Sequence, residues 1–377
     1  MRRLRLGMVG GGTGAFIGGV HRMAARIDDQ WKLVAGAFQS DAAKSVAFGR
    51  SLGLDDARCY GDYSAMALSE QARADRIDAV AIVTPNSTHA PVALTFLAAG
   101  IPVICDKPLT VNRKEALVLS EAVAQAGVPF VLTHNYSGYP MVRQARAMVE
   151  AGELGEIRVV HAEYAQDWLA SDQSGNKQAD WRGDPSRAGP GGALGDIATH
   201  AFQLVEFVAG LVVKSVAADV ATFVAGRKVD DNVNVMLRFG GTARGMLWAS
   251  QVATGAVNGL KLRVYGAKGG IEWAQETPET LQFTPLGEAP RMYRRGGPGL
   301  AASAQVARAP AGHPEGYLEG FAQIYSDAAE LIRAYQEKRE PRGFAKLAPG
   351  IEDGVRGVKF IEAALQSSGN NGAWTPV

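Results

Sequence analysis

An N-terminal doubly wound parallel sheet followed by an α+β region is the α/β fold class the sequence predicts, on three observations. Short β-branched runs alternate with alanine-rich helical patterns from Leu4 to about Leu132, the order that builds parallel βαβ units. Ala79-Val80-Ala81-Ile82-Val83 is apolar at every position, as a strand covered by helices on both faces must be. After His134 the strand-like runs are joined through tight glycine turns, which favours antiparallel hairpins.

In order, the first part is read as strands at Leu4 to Val9, Lys32 to Phe38, Ile77 to Val83, Pro102 to Cys105 and Val128 to Leu132, with Ala79 to Val83 central. A helix from about Tyr139 to Glu150 opens the second part. Strands then follow at Ile157 to Tyr164, Val212 to Val224, Val233 to Phe239, Ala243 to Ala249, Leu260 to Gly266 and Gly270 to Trp273. The stretch from about Leu286 to Pro314, rich in Gly, Pro, Ala and Arg without periodicity, reads as a long excursion. Helices at Glu315 to Glu337 and Ile351 to Gln366 close the chain. The 377 residues exceed one core of about 100 to 200 residues. The expected division is therefore a first domain at 1–133 and a second at 134–377, whose C-terminal helix can pack back on the first.

Composition narrows the partners. Thirty-nine Lys and Arg against thirty-eight Asp and Glu give a net charge of +1, and the basic residues are scattered, so no footprint for nucleic acid or an anionic membrane appears. A small molecule is the expected partner. Cys59 and Cys105 are the only cysteines, without CxxC spacing, which points to a reducing compartment, the cytoplasm, and away from a zinc site. The basic N-terminus breaks at glycines within a few residues, lacks a signal-peptide hydrophobic region of about 7 to 15 residues, and reads as the first strand.

Gly10-Gly11-Gly12-Thr13-Gly14-Ala15-Phe16-Ile17-Gly18 follows the first strand, placing glycines where backbone amides can approach a pyrophosphate without Cβ clashes. Gly10 and Gly12 fit the first two positions of a dinucleotide turn. Ala15 completes the usual spacing, but a longer loop closed by Gly18 is the preferred reading. At the tip of strand two stand Gln39 and Ser40, with Asp41 displaced towards the helix and no Arg to grip a 2′-phosphate. NAD is therefore preferred to NADP, though no acid enforces it. Thr84-Pro85-Asn86 follows the third strand, suited to lining the crevice or capping the next helix.

Lys107, in Asp106-Lys107-Pro108, emerges at a carboxyl-terminal strand edge, the side on which open α/β sheets bind ligands. A lysine there can meet a substrate oxygen and relay a proton. Asp196 and His200 are four residues apart at the glycine-rich entry of a helix expected from about Gly192 to Ala209, so a carboxylate and an imidazole share one face. Asn135 and Arg182, at the domain crossover and before that helix, are candidate pocket residues, as are Asp167 and Trp168. Trp168 suits stacking on a sugar ring or a place in the core.

On these residues the chain resembles the Gfo/Idh/MocA family, the glucose-fructose oxidoreductase and inositol dehydrogenase group, over nearly its whole length. The resemblance is carried by Gly10 to Gly18 with His21, Thr84-Pro85-Asn86 with His89, Asp106-Lys107-Pro108 in place of the commoner Glu-Lys-Pro, and Gly192 through Asp196 to His200. It implies an N-terminal Rossmann domain and a C-terminal domain with a large, mostly antiparallel sheet, whose exposed face commonly mediates dimers and tetramers. It also implies that Lys107, Asp196 and His200 match the catalytic trio. The expected cofactor contacts are Gly10, Gly12, Thr13, Gly14, Ala15, Phe16, Ile17, Gln39, Ser40, Thr84, Pro85, Asn86, His89, Asp106, Lys107 and Asn135. The expected activity is NAD-dependent oxidation of a ring secondary alcohol in a cyclic polyol or pyranose. An NAD-dependent glycosidase using transient sugar oxidation, and a silent nucleotide-binding regulator, are the alternatives. His313 stands at the end of the long excursion, able to enter a helix or to reach a neighbouring subunit.

Overall fold

A computed structural model describes residues 2–173 and 175–377. The chain forms two compact units: Met1–Asn135 with Phe321–Val355, and Tyr136–Gly320 with Arg356–Val377. The first unit holds five strands, β1 (Leu4–Gly10), β2 (Trp31–Ala37), β3 (Ala79–Val83), β4 (Val103–Cys105) and β5 (Phe130–Leu132). They are all parallel, in the order β2-β1-β3-β4-β5. Parallel neighbours require crossovers, supplied by α1 (Phe16–Ile27), α2 (Ala42–Ser51), α3 (Tyr63–Ala72), α4 (His89–Ala98) and α5 (Arg113–Ala126).

All five residues of β3 are buried, at the centre of the sheet. The side chains of Asp41, Asp62 and Asn112 accept backbone amides at the starts of α2, α3 and α5, which satisfies donors a helix start leaves unpaired. Chain order reverses about β1, between β2 and β3, so the carboxyl ends of β1 and β3 flank a ligand crevice.

The second unit opens with α6 (Pro140–Glu150) and β6 (Ile157–Ala165), then the short helices α7 (Lys177–Arg182) and α8 (Pro185–Ala188). A π-helical turn, Leu194–Ala198, runs into α9 (Thr199–Ala209). Strands β7 (Val213–Ala221), β8 (Asn232–Phe239), β9 (Arg244–Ser250), β10 (Gly259–Gly266), β11 (Gly269–Ala274), β12 (Thr280–Pro285), β13 (Arg291–Arg294) and β14 (Thr375–Pro376) join β6 in a nine-stranded sheet. Only β6 and β9 pair in parallel among these. Tight turns at Gly240-Gly241 and Ala267-Lys268 join β8 to β9 and β10 to β11 as antiparallel hairpins.

Strand β8 alternates between buried and exposed positions, the mark of a sheet covered on one face only. Met236 and Met246 are 52% and 55% exposed on the bare side. The closing helices are α10 (Tyr317–Glu337) and α11 (Ile351–Gly369). No helix among the described residues is long and apolar enough to cross a membrane.

Two expectations need correction. The excursion at 286–314 is not structureless, because Arg291–Arg294 pairs with β12, itself a strand the pattern did not reveal. Strand β13 lies at the sheet edge and is mostly exposed on both faces, so no apolar alternation marks it. Arg295, 3% exposed, ties the segment down through Glu279 at 2.8 Å and Glu315 at 3.2 Å. Arg295 also donates to the carbonyl oxygens of Ala309, at 2.7 Å, and His313. The second correction concerns winding: the helix expected from about Gly192 to Ala209 is present, but its first turn, Leu194–Ala198, is π-wound before it runs into α9 at Thr199.

Candidate active site

Between β1 and α1 the backbone takes positive φ at Gly10 (84°), Gly11 (69°) and Gly14 (75°), conformations that favour glycine. Gly18 closes the loop: a Cβ there would lie 2.3 Å from Gly11 Cα, so the helix packs on the strand turn through the later glycine, while Ala15 occupies the N-cap. Ala15 at the N-cap makes no side-chain cap bond and no acid sits in the first turn of α1, leaving the positive end of the helix suited to an anion. Arg22 Nη1 donates to Gly11 O at 2.9 Å, and Gln39 Nε2 to Thr13 Oγ1 at 3.3 Å. Asp41 Oδ1 accepts the Lys44 amide at 2.9 Å as the cap of α2, which accounts for its displacement from the strand tip.

Across the crevice, His89 is fully buried and both ring nitrogens meet carbonyl oxygens, Nδ1 with Pro108 O at 2.8 Å and Nε2 with Thr84 O at 3.0 Å. The ring thereby links the Thr84-Pro85-Asn86 turn to the loop carrying Lys107. Burial pulls its pKa down, while Asp106 and the two carbonyls oppose that. Asp106 Oδ1 accepts the Lys107 amide and the Thr133 hydroxyl, each at 2.9 Å. Burial lowers His134 to about 3, helped by the charge of Lys107, and lowers His21 to about 4. His21 meets Tyr325 Oη through Nδ1 at 2.8 Å and Phe321 edge-on, a core position. Thr84 Oγ1 and Asn135 Nδ2 are buried without a hydrogen-bond partner among the described residues. Such orphaned groups, with the glycine turn and uncapped helix, fit a dinucleotide with its ribose and amide groups.

In the second unit, Asp196 stands on the π turn and His200 on the first turn of α9. Asp196 Oδ2 accepts Gln251 Nε2 at 2.9 Å and Arg182 Nε at 3.3 Å. Two donors on one oxygen orient the carboxylate. The Arg182 guanidinium lies over the rings of Trp181, at 4.4 Å, and Trp168, at 5.9 Å. His200, 7% exposed, packs edge-on to Tyr136 with centroids 5.0 Å apart and lies 6.3 Å from Tyr164.

The two tyrosine hydroxyls meet at 2.5 Å, and Tyr164 Oη donates to Asn258 Oδ1 at 2.9 Å. Gln166 Nε2 reaches the same Asn258 oxygen at 2.8 Å, and Trp168 Nε1 donates to Gln166 Oε1 at 3.0 Å. Burial pushes the Tyr136 hydroxyl up to about 12 and raises that of Tyr164 well above its ordinary range, so both are neutral beside the imidazole. Asp167 Oδ2 accepts the Gly255 amide at 3.0 Å. Gln251, Tyr136 and Tyr164 were not foreseen as site residues. An aromatic near the end of β6 was the one signal in the sequence for Tyr164.

Comparison with known proteins identifies the family. Residues 4–136 match the oxidoreductase family with an NAD-binding Rossmann fold, and residues 142–272 match the GFO/IDH/MocA C-terminal domain. The chain is similar to an oxidoreductase from Sinorhizobium meliloti, at 50% identity and a TM-score of 0.90 over 99% of both chains. It is also similar to an inositol dehydrogenase homologue from Azotobacter vinelandii. Solved with NAD+, that protein gives 37% identity and a TM-score of 0.93; solved with NADH and myo-inositol, 35% and 0.90, each over 100% of this chain and 98% of the other. Levoglucosan dehydrogenase from Pseudarthrobacter phenanthrenivorans is 28% identical over 100% of this chain and 99% of its own. The chain belongs to the Gfo/Idh/MocA oxidoreductase family, its first unit carrying the NAD-binding Rossmann fold.

Proposed function

We propose that the protein is an NAD-dependent dehydrogenase that oxidises a ring secondary alcohol of a cyclic polyol or pyranose, inositol-like or glucose-like, to a ketone. The observation that carries this reading is the convergence of Gln251 and Arg182 on one oxygen of Asp196, on the turn before a histidine enclosed by two neutral tyrosines. In this reading His200 takes the hydroxyl proton, and Asp196 orients the imidazole and stabilises its cationic form. Lys107 polarises the same oxygen or relays the proton. NAD, when bound, supplies the hydride acceptor. Gly10, Gly12, Thr13, Gly14, Ala15, Phe16 and Ile17 would hold its pyrophosphate, Gln39 and Ser40 its adenosine ribose, and Thr84, Pro85, Asn86, Asp106, Lys107 and Asn135 the nicotinamide end. His89 serves by bracing the two crevice loops.

Arg182 is charge-balanced by Asp196, which suits a neutral polyol better than a sugar acid wanting bidentate arginines. Asn135, Trp168 and Arg182 are the proposed substrate contacts beside the trio, with Asp167 shaping the loop next to Trp168. The bare face of β8 and β9 is the proposed contact for a homodimer or homotetramer.

Inositol isomers, hexoses, levoglucosan and glucosides, each supplied with NAD or NADP and scored for reduced cofactor, test the reading. Accumulation of NADH with a free polyol or sugar is expected. Aglycone release from glucosides without net NADH would replace it with a glycosidase.

A further inference from the structure

The segment carrying Asp196 begins at Gly192, and three successive amides there are all taken by one residue. Asp230 accepts the Gly192 amide on Oδ1 at 2.6 Å, the Leu194 amide on Oδ2 at 2.7 Å, and the Ala193 amide on its carbonyl oxygen at 3.0 Å. Position 192 has no room for a side chain, since a Cβ would lie 2.0 Å from that same carbonyl oxygen. The next residue reaches Asp196 from the other side. The Asp231 carbonyl accepts the Gln251 amide at 2.9 Å, and Gln251 Nε2 donates to Asp196 Oδ2 at 2.9 Å. Asp231 is itself fixed, its carboxylate accepting the amides of Phe223 and Val224 at 2.9 and 3.0 Å and Arg227 Nη1 at 2.8 Å.

We propose that Asp230 and Asp231 are a two-residue positioning clamp for Asp196: the first seats the start of the π turn, and the second seats the residue whose side chain holds the carboxylate. The inference rests on the role assigned to Asp196 above. The clamp is not there for stability alone. Burial raises the Asp230 carboxyl to about 6, against the pull of the Leu194 and Gly192 amides, so keeping it ionised at neutral pH works against folding. A carboxylate retained under that penalty is explained by what its two oxygens fix, since an asparagine offers only one acceptor to two amide donors.

The test uses Asp230→Asn and Gly192→Ala, which open the clamp from opposite sides, so that either variant decides if the other does not fold. Amide hydrogen exchange over residues 192–200 and steady-state kinetics with the best panel substrate are read together. Expected are exchange faster by about tenfold, kcat lower by about 10- to 100-fold, and a KM for NAD within about twofold of the native value. Faster exchange with native kcat overturns the positioning role, and native exchange overturns the clamp itself. If His200→Asn keeps native turnover, the assignment of the proton acceptor fails instead, and the exchange data still judge the clamp.

Discussion

The two units build their contributions from different material. In the first, the cofactor crevice is a matter of backbone: positive φ at Gly10, Gly11 and Gly14, a close crossing at Gly18, and an uncapped helix end. In the second, the proposed chemistry rests on side chains held by other side chains, with Asp196 gripped from Arg182 and Gln251 and His200 beside Tyr136 and Tyr164. A binding site for a constant ligand can be made from main-chain atoms, whereas a site that moves a proton needs titratable groups whose surroundings are built for them.

That contrast can be broken or sharpened by measurement. The largest effect is expected from His200→Asn and Lys107→Ala, each lowering kcat by about 10^2- to 10^4-fold in an NADH assay, with circular dichroism unchanged. Full turnover in either would remove that side chain from the chemistry. Next comes Gly18→Ala, where the new methyl must push α1 from Gly11. A loss of about 1–3 kcal/mol of stability and at least about tenfold weaker NAD binding are expected by calorimetry, with no comparable effect from Gly19→Ala, which faces open space up to Arg22.

Acid separates the units in sign. His21 and His134 have folded pKa values of about 4 and about 3, below the unfolded ~6.5. Each therefore adds stability above that pH and loses it as pH falls through the window down to its folded value. Asp230 has the reverse sign: its folded value of about 6 lies above the ordinary 3.8, so its penalty is relieved on acidification. Denaturant unfolding at pH 7 and pH 5 should show His21→Phe flattening the acid loss by about 1–2 kcal/mol. An unchanged slope would remove His21 as a cause. The smallest effect on catalysis is expected from Met236→Lys with Met246→Lys on the bare sheet face. Light scattering should report a smaller assembly while kcat changes by less than about twofold; an unaltered mass would move the interface elsewhere.

Much of the fold was legible because periodicity reports burial. Ala79–Val83 is apolar throughout and is central, and the alternation of Val233, Val235, Leu237 and Phe239 marks a one-sided strand that the structure shows. Strand β13 left no such mark, because an edge strand exposed on both faces has no apolar side to display. In the candidate site, glycine spacing announced the loop. The π winding at Leu194–Ala198 was not legible, since the same residues are compatible with an α-turn. Nor were the partners of the segment, which lie 38 and 55 residues away at Asp230 and Gln251. Long-range hydrogen bonds follow from topology, which local pattern does not encode.

The nucleotide-binding unit is completed by residues made nearly last. Trp31 Nε1 donates to the carbonyl oxygen of Tyr325, 294 positions downstream, and the Leu132 amide donates to Pro349 O. A nascent chain halted before residue 321 would leave β2 and β5 without these partners and His21 without Tyr325. The ribosome therefore delivers the Rossmann half in two instalments, and a truncated product should be an early target of proteolysis rather than a free-standing NAD binder.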